Sequence, residues 1–178
     1  MNQPRILIAG VGNIFFGDDA FGVEVVKRLA ARAWPAGVRI VDFGIRGLDL
    51  AYAILDGCES VILVDAISRG QRPGTLYLLE PQDDDDALSG AEAAVLADAH
   101  GMHPANVLRL VRQLGGPIRP IYVVGCEPAP FDPEHDLPTD LSGPVAASLD
   151  DAVNMIESLV ERILASPAQT GNLSLGAV

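Results

Sequence analysis

Cysteine is scarce in this chain of 178 residues: Cys58 and Cys126 are the only two. They are too far apart for a C-x-x-C pair and too few for a disulfide framework, so two reduced, half-buried thiols in a cytoplasmic protein are expected. Lysine is scarcer still. Lys27 stands alone among 12 basic residues, against 24 acidic ones, giving a net charge of −12 and a pI near 4.4. So acidic a chain lacks the basic face that displaces counterions from nucleic-acid phosphates, and it lacks a polybasic patch for an anionic membrane. Long apolar runs are missing too, and with them any bilayer-spanning segment. The opening run from Arg5 to Ala9 is broken by Gly10, Gly12 and Asn13, then by Asp18 and Asp19, too early for a signal peptide. Neither a G-x-S-x-G elbow nor an H-E-x-x-H helix occurs, which leaves seryl hydrolases and zincins without support.

What is present reads as a folded domain, with 49% hydrophobic and 20% charged residues. Residues 1–166 are expected to form a single α/β domain, and 167–178, which are small, polar and aperiodic, a flexible tail. Three apolar runs read as strands buried on both faces: Ile6 to Ala9, Val38 to Val41 and Val61 to Val64. Leu76 to Leu79 and Ile121 to Val124 supply two more. Helical spacing links them: Val23, Val26 and Ala30 after the first strand, and Leu48, Ala51, Tyr52 and Leu55 after the second. Val107, Leu110, Val111 and Leu114 follow Pro104, and Leu149, Val153, Ile156, Val160 and Ile163 mark a last long helix with Ser142 as N-cap. Such alternation predicts a three-layer α/β fold, a mainly parallel twisted sheet of about five strands with helices on both faces.

In such a sheet ligands bind beyond the carboxyl ends of the strands. The first strand runs there into Gly10-Val11-Gly12-Asn13, the third ends in Asp65, and a long loop brings His100-Gly101-Met102-His103 to the Pro104 helix. A dinucleotide fingerprint fails, because its third glycine would be Phe15 and because Asp18 and Asp19 would repel a pyrophosphate at the helix start. A cation is the better match. Asp19 and Asp65 would converge if strands one and three are neighbours, and His100 would add a nitrogen, a donor set suited to nickel, zinc or cobalt. Carboxylates at strand ends also serve as simple caps, and both readings stand at this level. Asp18 reads as an exposed acid at the helix start or as its N-cap. His103 reads as a cap of the Pro104 helix, and His135 and the run Asp83 to Asp86 as solvated loop residues.

Five ordered segments carry a resemblance. They are Gly10-Val11-Gly12-Asn13 with Gly17-Asp18-Asp19-Ala20-Phe21-Gly22-Val23; Asp42-Phe43-Gly44-Ile45-Arg46-Gly47-Leu48; Val64-Asp65-Ala66; His100-Gly101-Met102 with Asn106-Val107-Leu108; and Val124-Gly125-Cys126-Glu127-Pro128. Together they resemble the hydrogenase maturation proteases, endopeptidases that trim the C-terminus of nickel–iron hydrogenase large subunits, over about Arg5 to Ala165. The resemblance implies a cytoplasmic, monomeric peptidase whose partner is a large-subunit precursor already loaded with nickel. It implies Asp19, Asp65 and His100 as nickel ligands, a site that zinc or cadmium could also occupy, with Asp19 and Asp65 catalytic. It further implies Asn13, Gly44, Gly47 and His103 as substrate contacts. This chain departs from the family's usual pattern at Asp19 (often glutamate), Ala20 (often glycine) and Ile45 (usually threonine). A small-molecule metallohydrolase and a non-enzymatic nickel-dependent chaperone are the alternatives.

Overall fold

Ile6–Val11 form the first strand, β1, and all six residues are buried. A computed structural model describes residues 5–80, 104–116, 119–130 and 139–165 of the chain. After β1 come a short 3-10 turn (Gly17–Ala20), helix α1 (Phe21–Ala30), strand β2 (Val38–Gly44), helix α2 (Gly47–Leu55), strand β3 (Ser60–Ala66) and strand β4 (Leu76–Leu79). Helix α3 (Pro104–Gln113), strand β5 (Ile121–Cys126) and the long helix α4 (Gly143–Ala165) complete the described elements.

The five strands form one sheet in the order β2-β1-β3-β5-β4. All neighbours run parallel except β4, which pairs antiparallel with β5. The expected mainly parallel α/β architecture is therefore present, and β1 and β3 are neighbours as the site requires. Going from β1 to β2 the chain moves one way across the sheet, and β3 lies on the other side of β1. That reversal opens a crevice at the carboxyl ends of β1 and β3, the usual ligand position of an open α/β sheet.

Side chains alternate between two apolar layers, as the pleat of a strand dictates. Ile6, Ile8, Ile62 and Val64 face one layer with Phe21, Val25, Val26 and Leu29 of α1 and Leu149, Val153 and Ile156 of α4. Leu7, Ala9, Val61 and Leu63 face the other with Leu50, Ala51 and Ile54 of α2 and Val107 and Val111 of α3. Each fully buried large side chain contributes about 2 kcal/mol of transfer free energy, so the two layers rather than local propensity hold the helices to the sheet.

Three details differ from the sequence reading. Strand β2 is not buried on both faces: Phe43 alone of its residues is buried, because β2 is an edge strand with one side open to solvent. In α2 the expected contacts Leu48 and Tyr52 are 56% and 55% exposed, while Leu50, Ala53 and Ile54 are buried with Ala51. Most α2 residues are apolar, so spacing alone leaves its inward face ambiguous, and docking chose another stripe. Ala30 and Leu114 are exposed too, with Leu29 and Leu108 filling the layers instead. The last helix matches expectation, with Leu149, Val153, Ile156 and Val160 buried. Both cysteines are free, and both are fully buried rather than half-buried.

Among the described residues no helix is long and apolar enough to cross a membrane. The expected tail at 167–178, the run Asp83 to Asp86, His100, Met102, His103 and His135 lie outside the described residues.

Candidate active site

The loop leaving β1 is shaped by a residue that has no side chain. Gly12 has φ +132°, and a Cβ there would lie 1.8 Å from the carbonyl oxygen of Asp19, so the loop and the 3-10 turn touch backbone to backbone. The Gly12 amide donates to the Gly44 carbonyl at 3.1 Å, tying this loop to the end of β2. Asn13 then holds the loop in two ways. Its Oδ1 accepts the Phe15 amide at 3.0 Å, an Asx turn, and its own amide donates to Asp19 Oδ2 at 2.7 Å. The Asp19 amide in turn donates to the Phe16 carbonyl at 3.0 Å. The Asp19 carboxylate is thus fixed by a charge-assisted hydrogen bond from the loop it faces.

Asp65 reaches the same crevice from β3, where it pairs with Gly125 of β5. It is buried, and its Oδ1 accepts the Ala66 amide at 2.9 Å. Burial, then the negative charge of Asp19, push its carboxyl up to about 8, with the Ala66 hydrogen bond opposing them. The 3-10 turn that carries Asp19 packs against β3, so the negative charge of Asp19 is near enough to act on the Asp65 carboxyl. Gly44, in the left-handed region at φ +51°, joins this neighbourhood through Gly12, and Gly47 is the buried first residue of α2. Ile45 is exposed, as are Leu48 and, in the loop after β1, Ile14 and Phe15.

Asp18 corrects its expectation. It is neither an exposed acid nor an N-cap: it is only 9% exposed, and its carboxylate accepts three hydrogen bonds from the far end of the chain. The Ala129 amide and the Ser142 hydroxyl donate to Oδ2 at 2.7 and 2.8 Å, and the Ser142 amide donates to Oδ1 at 2.6 Å. Ser142 does stand at the start of α4, with its carbonyl accepting the Ala146 amide, but its hydroxyl serves Asp18.

Glu127 and Cys126 stand in the last of the five resembling segments, with no site role expected of either. The Glu127 carboxylate is buried and accepts the amides of Arg69 and Gly70 at 2.8 and 2.9 Å, the Ser68 hydroxyl at 3.4 Å, and the Tyr77 hydroxyl. Burial works against its charge, but the Tyr77 hydroxyl and the loop amides outweigh that and hold it below the usual carboxylate range. It anchors the loop between β3 and β4. Cys126 is buried with its Sγ 3.3 Å from Ser148 Oγ, and burial pushes the thiol up, the opposite of an activated nucleophile.

No three His, Cys, Asp or Glu side chains group as metal ligands among the described residues. The described part of the expected ligand set is the pair of carboxylates. Such a pair can share a proton, take a proton from water, or offer oxygens to a divalent cation.

Comparison with known proteins adds a second line. A family model described as hydrogenase maturation protease matches residues 23–159. The hydrogenase expression/formation protein HoxM of Azotobacter vinelandii is 32% identical over 97% of this chain and 80% of its own. HupD of Rhodobacter capsulatus, likewise a hydrogenase expression/formation protein, is 33% identical over 84% of this chain and 68% of its own. Among solved structures, the hydrogenase maturating endopeptidase HybD from E. coli superposes with a TM-score of 0.73 at 27% identity, covering 89% of this chain and 93% of that one. The nickel–iron hydrogenase maturation protease HybD from Thermococcus kodakarensis gives 0.66 at 26%, covering 87% and 98%.

Proposed function

Because the chain belongs to the hydrogenase maturation protease family, we propose that it is the endopeptidase that removes a C-terminal peptide from a nickel–iron hydrogenase large-subunit precursor. It recognises that precursor through nickel already seated in it, with Asp19, Asp65 and His100 completing the ion's coordination. The observation that supports this reading is the packing of the 3-10 turn that carries Asp19 against β3, which carries Asp65, with the Asp19 charge adding to burial in raising the Asp65 carboxyl. Two carboxylates held this way are stabilised when a cation joins them, and an oxygen, oxygen, nitrogen set suits a borderline ion such as nickel, with zinc or cadmium fitting the same donors. A precursor without nickel lacks the atom the pair is built to hold, and so gains little binding energy.

Hydrolysis follows from the same two acids. Asp65 offers two carboxylate oxygens, and the one not engaged by the ion acts as the general base. Water attacks the scissile carbonyl, Asp65 takes its proton, and the proton passes to the departing amine as the C–N bond breaks. Asn13, Gly44, Gly47 and His103 contact the precursor around this point, and the protein works as a cytoplasmic monomer.

Mixing the purified protein with nickel-loaded and nickel-free precursor, followed by intact-mass spectrometry, tests the reading. Loss of the C-terminal peptide from the loaded form alone is expected. Equal cleavage of both removes nickel recognition, and binding without any change of mass makes the protein a chaperone.

A further inference from the structure

The hydrogen bonds of Asp18 reach beyond ordinary capping. Its carboxylate holds two separate points of the segment between β5 and α4, the Ala129 amide and the amide and hydroxyl of Ser142. The turn that carries it, Gly17–Ala20, is only four residues long. A single 3-10 turn has few internal hydrogen bonds, so its orientation depends on what grips it from outside. Here there are two grips, from different segments. Asp18 binds the β5–α4 segment, and Asp19 binds the β1 loop through the Asn13 amide at 2.7 Å. With three residues per turn, neighbouring side chains point about 120° apart, so the adjacent acids reach different segments.

We propose that Asp18 is the positioning residue of the site: it locks the 3-10 turn against Ala129 and Ser142 and thereby fixes where the Asp19 carboxylate stands relative to Asp65. Asp18 does not touch the substrate; it acts through Asp19. The inference rests on the proposed role of Asp19 in processing, but the geometry it concerns has its own reporter. The Asn13 amide proton lies in the hydrogen bond to Asp19 Oδ2, so its NMR position reads the placement of that carboxylate without any precursor present.

The test compares Asp18→Ala, Asp18→Asn and Ser142→Ala with the wild type, by the Asn13 amide resonance and by processing of nickel-loaded precursor. Asp18→Ala is expected to move the Asn13 amide and to lower kcat about 100-fold with a smaller change in KM, the scale of a misplacement near 1 Å. Asp18→Asn, which keeps one accepting oxygen, should fall between Asp18→Ala and wild type in both readouts. Ser142→Ala removes one donor and leaves two, so its shift of the same amide should be in the same direction and smaller. If Asp18→Ala does not fold, the two milder variants decide. An unmoved Asn13 amide in a folded variant overturns the proposal, as does an unchanged kcat beside a displaced amide. Asp19→Asn separates the two readings: full processing by it refutes the role given to Asp19, whereas loss of processing there with normal processing in Asp18→Ala refutes only the positioning.

Discussion

Gly22 lies so close to Val64 that a Cβ on it would sit 2.1 Å from the Val64 carbonyl oxygen, and 2.3 Å from that of Val11. Helix α1 therefore begins directly on the seam between β1 and β3. Asp19 stands just ahead of Gly22 in the chain and Asp65 just behind Val64, so this close approach sets how near the two backbone segments that carry the acids come. Burial is the larger cause that raises Asp65, and the Asp19 charge that adds to it depends on this close packing.

Gly22→Ala should accordingly damage both stability and processing. The added methyl meets backbone rather than the end of a flexible side chain, so α1 must lift from the sheet, at a cost of about 3 kcal/mol. Urea unfolding should show the lower midpoint, and processing of nickel-loaded precursor should fall even where the variant remains folded. A variant as stable and active as wild type would mean that the separation of the acids is set elsewhere.

The raised carboxyl of Asp65 predicts a pH dependence of opposite sign to an ordinary acid. At pH between its unfolded value and about 8 the folded chain keeps the proton that the unfolded chain releases, so this group makes the metal-free protein less stable as pH rises through that window. Asp65→Asn removes the effect. The melting temperature of the variant relative to wild type should therefore increase between pH 5 and pH 8, by at least about 3 °C. A constant difference across that range would show that Asp65 is ionised in the fold throughout.

Glu127 carries the ordinary sign. Its carboxyl is held low, so its contribution is present above the unfolded glutamate range and is lost as pH falls through the lower folded value. Glu127→Gln replaces an accepting oxygen with an NH₂ group among donors from Arg69, Gly70, Ser68 and Tyr77. The expected loss is about 2–3 kcal/mol at neutral pH, read by denaturant unfolding. A loss below 0.5 kcal/mol, by the same order-of-magnitude scale, would show that the loop readily finds other partners.

Two histidines compete for the nitrogen position of the proposed ligand set. His100→Ala should abolish processing of nickel-loaded precursor, while His103→Ala should leave most of it. Timed mass spectrometry of the two variants settles the order, and the reverse ranking would move the ligand role to His103.

What could be read from the chain follows a physical pattern. The central strands were legible because a strand covered on both faces must be continuously apolar, as Val61 to Val64 is. Asp65 was legible as well, since a carboxylate ending such a run stands at the mouth of the sheet. The exposure of β2 was not, because an edge position depends on strand order rather than on composition. The inward stripe of α2 was lost in a segment apolar on nearly every side. Asp18 and Glu127 were opaque for a different reason: their partners are remote in sequence, 111 and 124 positions away for Asp18 and 50 to 59 for Glu127. No local spacing distinguishes a buried acceptor from a solvated acid.

The bond from Ser142 to Asp18 also has a bearing on the order in which the protein matures during its own synthesis. Chains emerge from the ribosome N-terminus first. The turn carrying Asp19 is made early, yet the amide that braces it lies 124 positions later, at the threshold of the final helix. A nascent chain therefore holds both acids well before it holds the Ser142 brace on the turn that carries Asp19. If Asp18 positions Asp19 as proposed, competence to cut is reached only when α4 docks, late in translation of the domain.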